Sequence, residues 1–303
     1  MYRVGIDIGA TYLRAAVFDR DLSIVKRVKF INDRNKSAGE NVDSVIEPIN
    51  SFLQGNKPCS GIGIGCPGPL DSAAGKVLNP PNLYGWNNFE LASWAERKTG
   101  LKTALNNDAG CAGLAEAHLG AGKGIASVFY ITVSTGIGGG FVYKGELVNG
   151  AHSSAGEIFN LIVCEDSFSH NGANAGSLNE VCGGDALARQ AKEAFGRPVD
   201  AKELFDELYL SKKDPKAVKI IDRWFDNLAK GIANIACIVD PGIFIIGGSI
   251  ALKSENFFEI LTEKAKPYLI RPDAFRIEKA RFGEDAGLIG AALLVPVKAA
   301  LPE

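Results

Sequence analysis

Charge of one sign is what this sequence lacks most clearly. Its 33 Lys and Arg residues stand against 35 Asp and Glu, a formal net charge of −2. No broad basic field exists to attract nucleic acid or an anionic membrane surface, and neither is expected as a partner. Long apolar runs are missing too: stretches such as Ile125 to Val133 fall far short of the roughly 20 residues that span a bilayer. The N-terminus, MYRVGIDIGA, enters a strand pattern without the charged start, apolar middle and small-residue cleavage site of a secretion signal, so a cytoplasmic location is expected. Six cysteines (Cys59, Cys66, Cys111, Cys164, Cys182, Cys237) form no CxxC pair, and His118, His152 and His170 share no zinc-type spacing with them. Buried thiols are expected in place of disulfides or a metal site. The spacing GxxxxGK[ST] is absent, and Gly136-x-Gly138 followed by Phe141 fails the dinucleotide fingerprint.

What is present is a chain of 303 residues, 46% hydrophobic and 22% charged, long enough for two domains with their own cores. Val4-Gly5-Ile6-Asp7-Ile8-Gly9, then Thr11, then Leu13-Arg14-Ala15-Ala16-Val17-Phe18 read as strand, glycine turn, strand. Phe129-Tyr130-Ile131-Thr132-Val133, a turn with Thr135 and glycines, and Gly140-Phe141-Val142-Tyr143 repeat that plan. The repetition predicts two related halves, each opening with a hairpin. Apolar spacing predicts helices over 41–53 (Pro48 a candidate kink), 90–100, 109–119, 215–240, 255–268 and 285–292. Strands are expected at 61–65, 103–105, 243–248 and 275–282, with 150–184 as loop. Alternation of strands and helices makes the fold class α/β.

A turn as glycine-rich as Thr135-Gly136-Ile137-Gly138-Gly139-Gly140 serves either a crowded hairpin or a ligand. Two such turns would grip a polyphosphate from both sides, since backbone N–H groups surround an anion where side chains would block it. The hydroxyls of Thr11 and Thr135 would add donors. Asp7, just before the first turn, then reads as a Mg²⁺ partner acting through water, or else as a cap of the turn. Asp108, at a strand-to-helix junction, reads either as a helix N-cap or as a carboxylate held ionised by the helix dipole to accept a hydroxyl proton. Asn107 would bind neighbouring hydroxyls. Trp86 is expected as a half-buried aromatic, and Lys212-Lys213 as a solvated loop.

Six motifs in order span essentially the whole chain: Asp7-Ile8-Gly9-Ala10-Thr11, Cys66-Pro67-Gly68, Asn107-Asp108-Ala109, Ser134 to Gly140, Gly156-Glu157-Ile158 and Ile246-Gly247-Gly248. Together they resemble the ROK family of sugar kinases, repressors and related proteins. The resemblance implies the actin-like, hexokinase-type ATPase fold, two related α/β domains with ATP and sugar in a cleft between them. The first would cover 1–118, completed by a C-terminal helix at 287–303, and the second 119–286. The implied activity is ATP-dependent transfer of the γ-phosphoryl group to a hydroxyl, the 6-hydroxyl, of a glucose-like aldohexose or derivative, by a homodimer. Asp108 would be the general base, and Gly68, Asn82, Asn107 and Glu157 would line the sugar. Gly9, Thr11, Thr135, Gly136 and Gly138 would hold phosphates, with Ala10, Arg14 and Gly139 on the same nucleotide side. Gly247 and Gly248 would lie against the adenosine, and Mg²⁺ would bridge the phosphates.

The departures concern one segment. The family pattern follows Gly-Glu-Ile with Gly-His and a cysteine cluster that binds structural zinc. Here Phe159-Asn160 follows, and the segment from Ser169 through Asn171 to Leu178 has no cysteine, so no zinc site is expected. Asn160 replaces a His that touches the sugar, and Asn179 with Glu180 stands near a Glu that binds further hydroxyls. Preference near the anomeric end of the sugar is therefore expected to differ. Ala10, where the family more often has Gly, costs little if its φ is negative. Family repressors carry a helix-turn-helix ahead of the first hairpin; with the hairpin beginning by residue 4, none is expected here. The competing reading is a non-catalytic sugar-sensing or sugar-binding regulator.

Overall fold

The computed structural model describes residues 1–55, 58–170 and 172–296. Asn171, in the cysteine-free segment, and residues 297–303, the end of the helix expected over 287–303, lie outside the described residues. The chain opens with β1 (Tyr2–Ile8), β2 (Tyr12–Phe18) and β3 (Ile24–Ile31), followed by α1 (Ala38–Leu53), β4 (Cys59–Cys66), the short β5 (Leu70–Asp71) and β6 (Lys76–Val77), α2 (Leu91–Thr99), β7 (Thr103–Asn107) and α3 (Asp108–Leu119). Next come β8 (Ser127–Val133), β9 (Ile137–Tyr143), β10 (Glu146–Leu147), α4 (Leu178–Cys182), α5 (Gly184–Phe195), a π-helix at Glu203–Ser211, α6 (Pro215–Val239), β11 (Ile243–Gly247), α7 (Ser249–Lys253), α8 (Phe257–Ala265), β12 (Ile277–Lys279) and α9 (Ala286–Leu293). Two compact units result: Met1–His118 with Glu146–Ala155 and the chain from Glu284, and Leu119–Gly145 with Gly156–Gly283.

In the first unit the strands run β3-β2-β1-β4-β7, antiparallel through β3-β2-β1 and parallel through β1-β4-β7. Glycines set how closely α9 seats on this sheet. A Cβ on Gly5 would lie 2.2 Å from the Leu288 carbonyl oxygen, on Gly63 1.7 Å from that of Ala291, and on Gly290 1.6 Å from that of Cys111. Backbone thus meets backbone where α9 crosses β1, β4 and α3, a contact no side chain could enter. On α1 the Ser37–Glu40 capping box fixes the start three residues before the expected position, and the helix continues through Pro48. Val42, Val45, Ile46 and Ile49 of α1 join a core that includes Trp86, which is fully buried, not half-buried as expected. Strand β3 escaped the apolar pattern because it is a largely exposed edge carrying Lys26, Arg27 and Lys29, and charge is how an unpaired edge is kept from further pairing.

In the second unit the order β9-β8-β11-β12 repeats the plan, with β8 and β9 antiparallel and β8, β11 and β12 parallel. Its core gathers Ile221, Trp224, Phe225, Leu228, Ile232 and Ile235 from the apolar face of α6. Trp224 meets Phe205 and Phe225 edge to face at 5.5 and 5.1 Å, a favoured aromatic geometry. Lys212 and Lys213 are exposed, and Cys237 is the one exposed thiol among six free cysteines. Among the described residues no helix is long and apolar enough to cross a membrane.

One strand boundary moves. Strand β9 starts at Ile137, so Gly138, Gly139 and Gly140 are paired with Thr132, Ile131 and Tyr130. The turn is only Ser134-Thr135-Gly136. Gly138 and Gly139, which the sequence suggested for the turn, are strand residues, while Gly140 is strand as expected.

Candidate functional site

The site residues of the first unit are brought together by sheet register. Asp7 is paired with Arg14 across the β1–β2 hairpin and with Gly65 on β4, and Gly65 is paired with Asn106 on β7. Asp108 follows two positions later, at the head of α3. Gly65 packs against the start of α3, the Asp108 Cα lying 3.5 Å from where a Cβ on Gly65 would be, an ordinary contact distance. Arg14 donates a short hydrogen bond to the buried Asp7 carboxylate, and its other guanidinium nitrogen is 3.7 Å from Glu284. Gly287, in the first turn of α9, backs the same carboxylate: a Cβ there would lie 3.1 Å from the Asp7 Cγ.

Burial raises the Asp7 carboxyl above its ordinary value, against the opposing pull of Arg14. Burial, then the nearby Asp7 charge, pushes Asp108 up to about 6, opposed by the Ala109 N–H that donates to its Oδ1 at 2.8 Å. The buried Cys66 and Cys111 thiols beside them are pushed up by burial first and by the same two carboxylates next. The helix cap is Asn107, whose Oδ1 accepts from Ala109 N–H at 2.8 Å and Gly110 N–H at 3.2 Å. That answers the N-cap reading of Asp108: the neighbour fills the cap. Asn106 Nδ2 donates to Asn149 Oδ1 at 2.9 Å.

The first turn is closed by Gly9 N–H donating to the Tyr12 carbonyl at 2.9 Å. Asn32, just past β3, braces it twice, Nδ2 donating to the Gly9 carbonyl and its backbone N–H to the Thr11 carbonyl, both at 2.9 Å. Ala10 and Thr11 are exposed, and Ala10 is not among the residues with positive φ. Gly68, half-buried, precedes the cis Gly68–Pro69 bond, and Asn82 is exposed on the loop between β6 and α2.

The second unit assembles the other predicted residues around its own turn. Gly184 N–H donates to the Ser134 carbonyl at 2.8 Å and Asp185 N–H to the Thr135 carbonyl at 3.0 Å. The first turn of α5 thereby places orphan helix donors on the hairpin. Asn179 Oδ1 accepts from Ile137 N–H at 3.1 Å, while its Nδ2 donates to Glu180 Oε1 at 3.1 Å. Glu180 is buried. A Cβ on Gly139 would fall 2.9 Å from the Gly156 carbonyl oxygen, so that glycine is imposed by the chain's own packing. Gly156 itself has φ +85°, where a side chain is strained, and it leads into Glu157 and the single helical turn Ile158–Asn160. Asn160 Oδ1 accepts from Asn174 N–H at 2.6 Å, and Val163 N–H donates to the Gly176 carbonyl at 2.9 Å. These bonds close the segment where the family pattern has its cysteine cluster. Among the described residues no three His, Cys, Asp or Glu side chains are grouped to hold a metal ion. Gly247 packs on Tyr130, and Gly248, φ +90°, on the Val133 carbonyl.

Sequence reasoning missed Asn32, Gly287 and the pair Gly183-Gly184. Asn32 follows the strand that lacked an apolar pattern. Gly183-Gly184 carried a signal, two adjacent glycines before a helix, and a Cβ on Gly184 would lie 2.6 Å from the Ser134 carbonyl oxygen.

The ROK family profile matches residues 3–298. The chain is 31% identical to a glucokinase of Thermotoga maritima, over 96% of each chain. It is also 31% identical to a beta-glucoside kinase of Klebsiella pneumoniae, over 94% of this chain and 93% of that one. The crystal structure of a ROK hexokinase from Thermus thermophilus superposes with a TM-score of 0.88 at 35% identity, covering 97% of this chain and 98% of that chain. The fold is the actin-like, hexokinase-type ATPase fold, two related α/β units. The chain belongs to the ROK family.

Proposed function

We propose that the protein is an ATP-dependent sugar kinase that phosphorylates the 6-hydroxyl of a glucose-like aldohexose or a derivative of one. The observation that carries this reading is the Asp108 carboxyl, fixed at the head of α3 and held near pKa 6 beside the Asp7–Arg14 pair. A base with a pKa near the working pH accepts a proton efficiently yet is largely ionised when needed. Asp108 accepts the proton of the attacking hydroxyl, and Asn107, by capping α3, keeps the carboxylate in place. Gly68, Asn82 and Glu157 border the sugar. Thr11, Gly9 and Ala10 from one turn, and Thr135, Gly136 and Gly138 from the other, hold the phosphates, where charge neutralisation dominates the rate. Gly247 and Gly248 lie against the adenosine.

Mg²⁺, when bound with the nucleotide, supplies positive charge to the transferring phosphoryl group. Asp7 would reach it through water. A carboxylate that already holds Arg14 suits an ion that keeps most of its own water and takes further ligands from phosphate oxygens. Asn160, in place of the family's His, already uses its carbonyl oxygen within the unit, which supports a sugar preference that departs from plain glucose near the anomeric carbon. Similarity of equal degree to a glucokinase and a beta-glucoside kinase supports the class of acceptor and leaves the substituent open.

The test is turnover of purified protein with ATP and Mg²⁺ on aldohexoses, ketohexoses, amino and N-acylated sugars and β-glucosides, beside Asp108→Asn. Turnover of one sugar that collapses in the variant while sugar affinity persists is expected. Turnover retained by the variant removes Asp108 from its role, and sugar binding without turnover makes the protein a sensor.

A further inference from the structure

We infer that Asn179 is a positioning residue of the nucleotide half of the reaction and not a sugar ligand. This rests on the kinase reading above and assigns one of its residues a different task. Position 179 was expected on the sugar side, because it stands where the family pattern has a carboxylate that binds hydroxyls.

The geometry points elsewhere. Asn179 Oδ1 accepts the N–H of Ile137, the first residue of β9 after the Ser134-Thr135-Gly136 turn, at 3.1 Å. The same oxygen faces Gly136: a Cβ there would come within 2.6 Å of it, so glycine at 136 is what lets Asn179 approach the turn. Its Nδ2 is held by Glu180 Oε1 at 3.1 Å, which fixes the amide flip that presents oxygen to Ile137. Asn179 is on α4, and the main-chain carbonyl of the same residue accepts from Gly183 N–H at 3.0 Å. Gly184 and Asp185 then donate to the Ser134 and Thr135 carbonyls. One residue therefore ties the turn by its side chain and, through its main chain, the helix start that grips the turn by its carbonyls.

A carboxylate at 179 could accept from Ile137 as well, but it would stand against Glu180 with no donor between them. Asn is the residue of this size that accepts on one side and donates on the other. The chemical consequence is that Asn179 orients the Thr135 hydroxyl and turn amides toward the phosphoryl donor.

Asn179→Ala, Asn179→Asp and the wild-type chain distinguish the roles. For Asn179→Ala the expected result is a KM for ATP and a dissociation constant for a non-hydrolysable ATP analogue, by calorimetry, each raised about tenfold, the scale of one well-placed hydrogen bond. The KM for the sugar is expected within about twofold of wild type. Asn179→Asp, which keeps the acceptor to Ile137 but loses the donor to Glu180, is expected to recover only part of the nucleotide affinity. A raised sugar KM with unchanged analogue affinity overturns the inference, as does Ala binding nucleotide as well as wild type. If Ala fails to fold, Asn179→Ser, too short to span the gap, carries the same two readings. Wild type that turns over no sugar would defeat the kinase reading alone, because analogue binding still reports on Asn179.

Discussion

The two hairpin turns, Gly9-Ala10-Thr11 and Ser134-Thr135-Gly136, are built alike in sequence and held in place by different forces. Each follows an apolar strand of a sheet with the same plan, and each presents one exposed threonine. Behind the first stand charges: Asp7 bound by Arg14, Glu284 near the same guanidinium, and Asp108 within reach of the Asp7 field. Counting back from the turns, Thr132 and Gly138 occupy in the second hairpin the places that Asp7 and Arg14 hold in the first. The second turn is instead fastened by neutral hydrogen bonds to α4 and α5. A similar glycine pattern thus yields one turn backed by ionisable chemistry and one clamped by main-chain geometry. The first is expected to respond to pH and the second not.

The largest expected effect breaks the charged half. Asp108→Asn should lower kcat by about 10³-fold with sugar KM little changed, the scale of a general base. In the wild-type chain kcat/KM should rise through about pH 6 and then level, since Asp108 must be ionised to act. The folded value lies above the ordinary carboxylate value of about 4, so the folded chain binds the extra proton between the two. Stability from this group is full below about pH 4 and lost as pH rises through 6. Asp108→Asn should reduce that slope in chemical denaturation, the remainder belonging to the buried Asp7, whose carboxyl is raised as well; an unchanged slope would remove Asp108 as its source.

Next in size, Arg14→Ala leaves the buried Asp7 without its cation and should cost about 2–3 kcal/mol in urea unfolding. The loss should be smaller at pH 5 than at pH 8, because an unpaired Asp7 escapes it by taking a proton. An equal loss at both would mean that the pair matters only through packing.

Gly184→Ala probes the clamped half. Its Cβ would fall 2.6 Å from a carbonyl oxygen, so α5 must retreat from the turn, at about 2 kcal/mol. That loss should not depend on pH between 5 and 8. A pH-dependent loss would erase the contrast between the turns. Smallest of all, Ala10→Gly should change stability by less than about 1 kcal/mol, mainly through the unfolded chain. A larger loss in thermal unfolding would show that the Ala10 methyl is packed in a way its exposure does not suggest.

Much of this is legible in the amino-acid sequence alone. The β1–β2 hairpin, the Asp108 junction and the long α6 follow from apolar period and glycine placement, signals that act within a few residues. Strand β3 was not legible, because an edge strand needs only one pairing face and its charges mask the alternation. Helix α5 and the π-helix also went unread. The extent of the second turn was misjudged for a related reason: glycine marks both turns and strands pressed against neighbours. Only contact with Gly156 and Ile158 shows that Gly139 belongs to the latter.

The sequence by itself determined the α/β class, the duplicated hairpin and the identity of the titratable group, because hydrogen bonding and apolar period are local. Tertiary structure alone decided which neighbours those residues keep. It set Asp7 against Arg14 and Gly287, raised Asp108 through burial and a second carboxylate, and turned Asn179 toward Ile137. Burial, electric field and hydrogen-bond partner depend on residues tens to hundreds of positions away, and only folding brings those together.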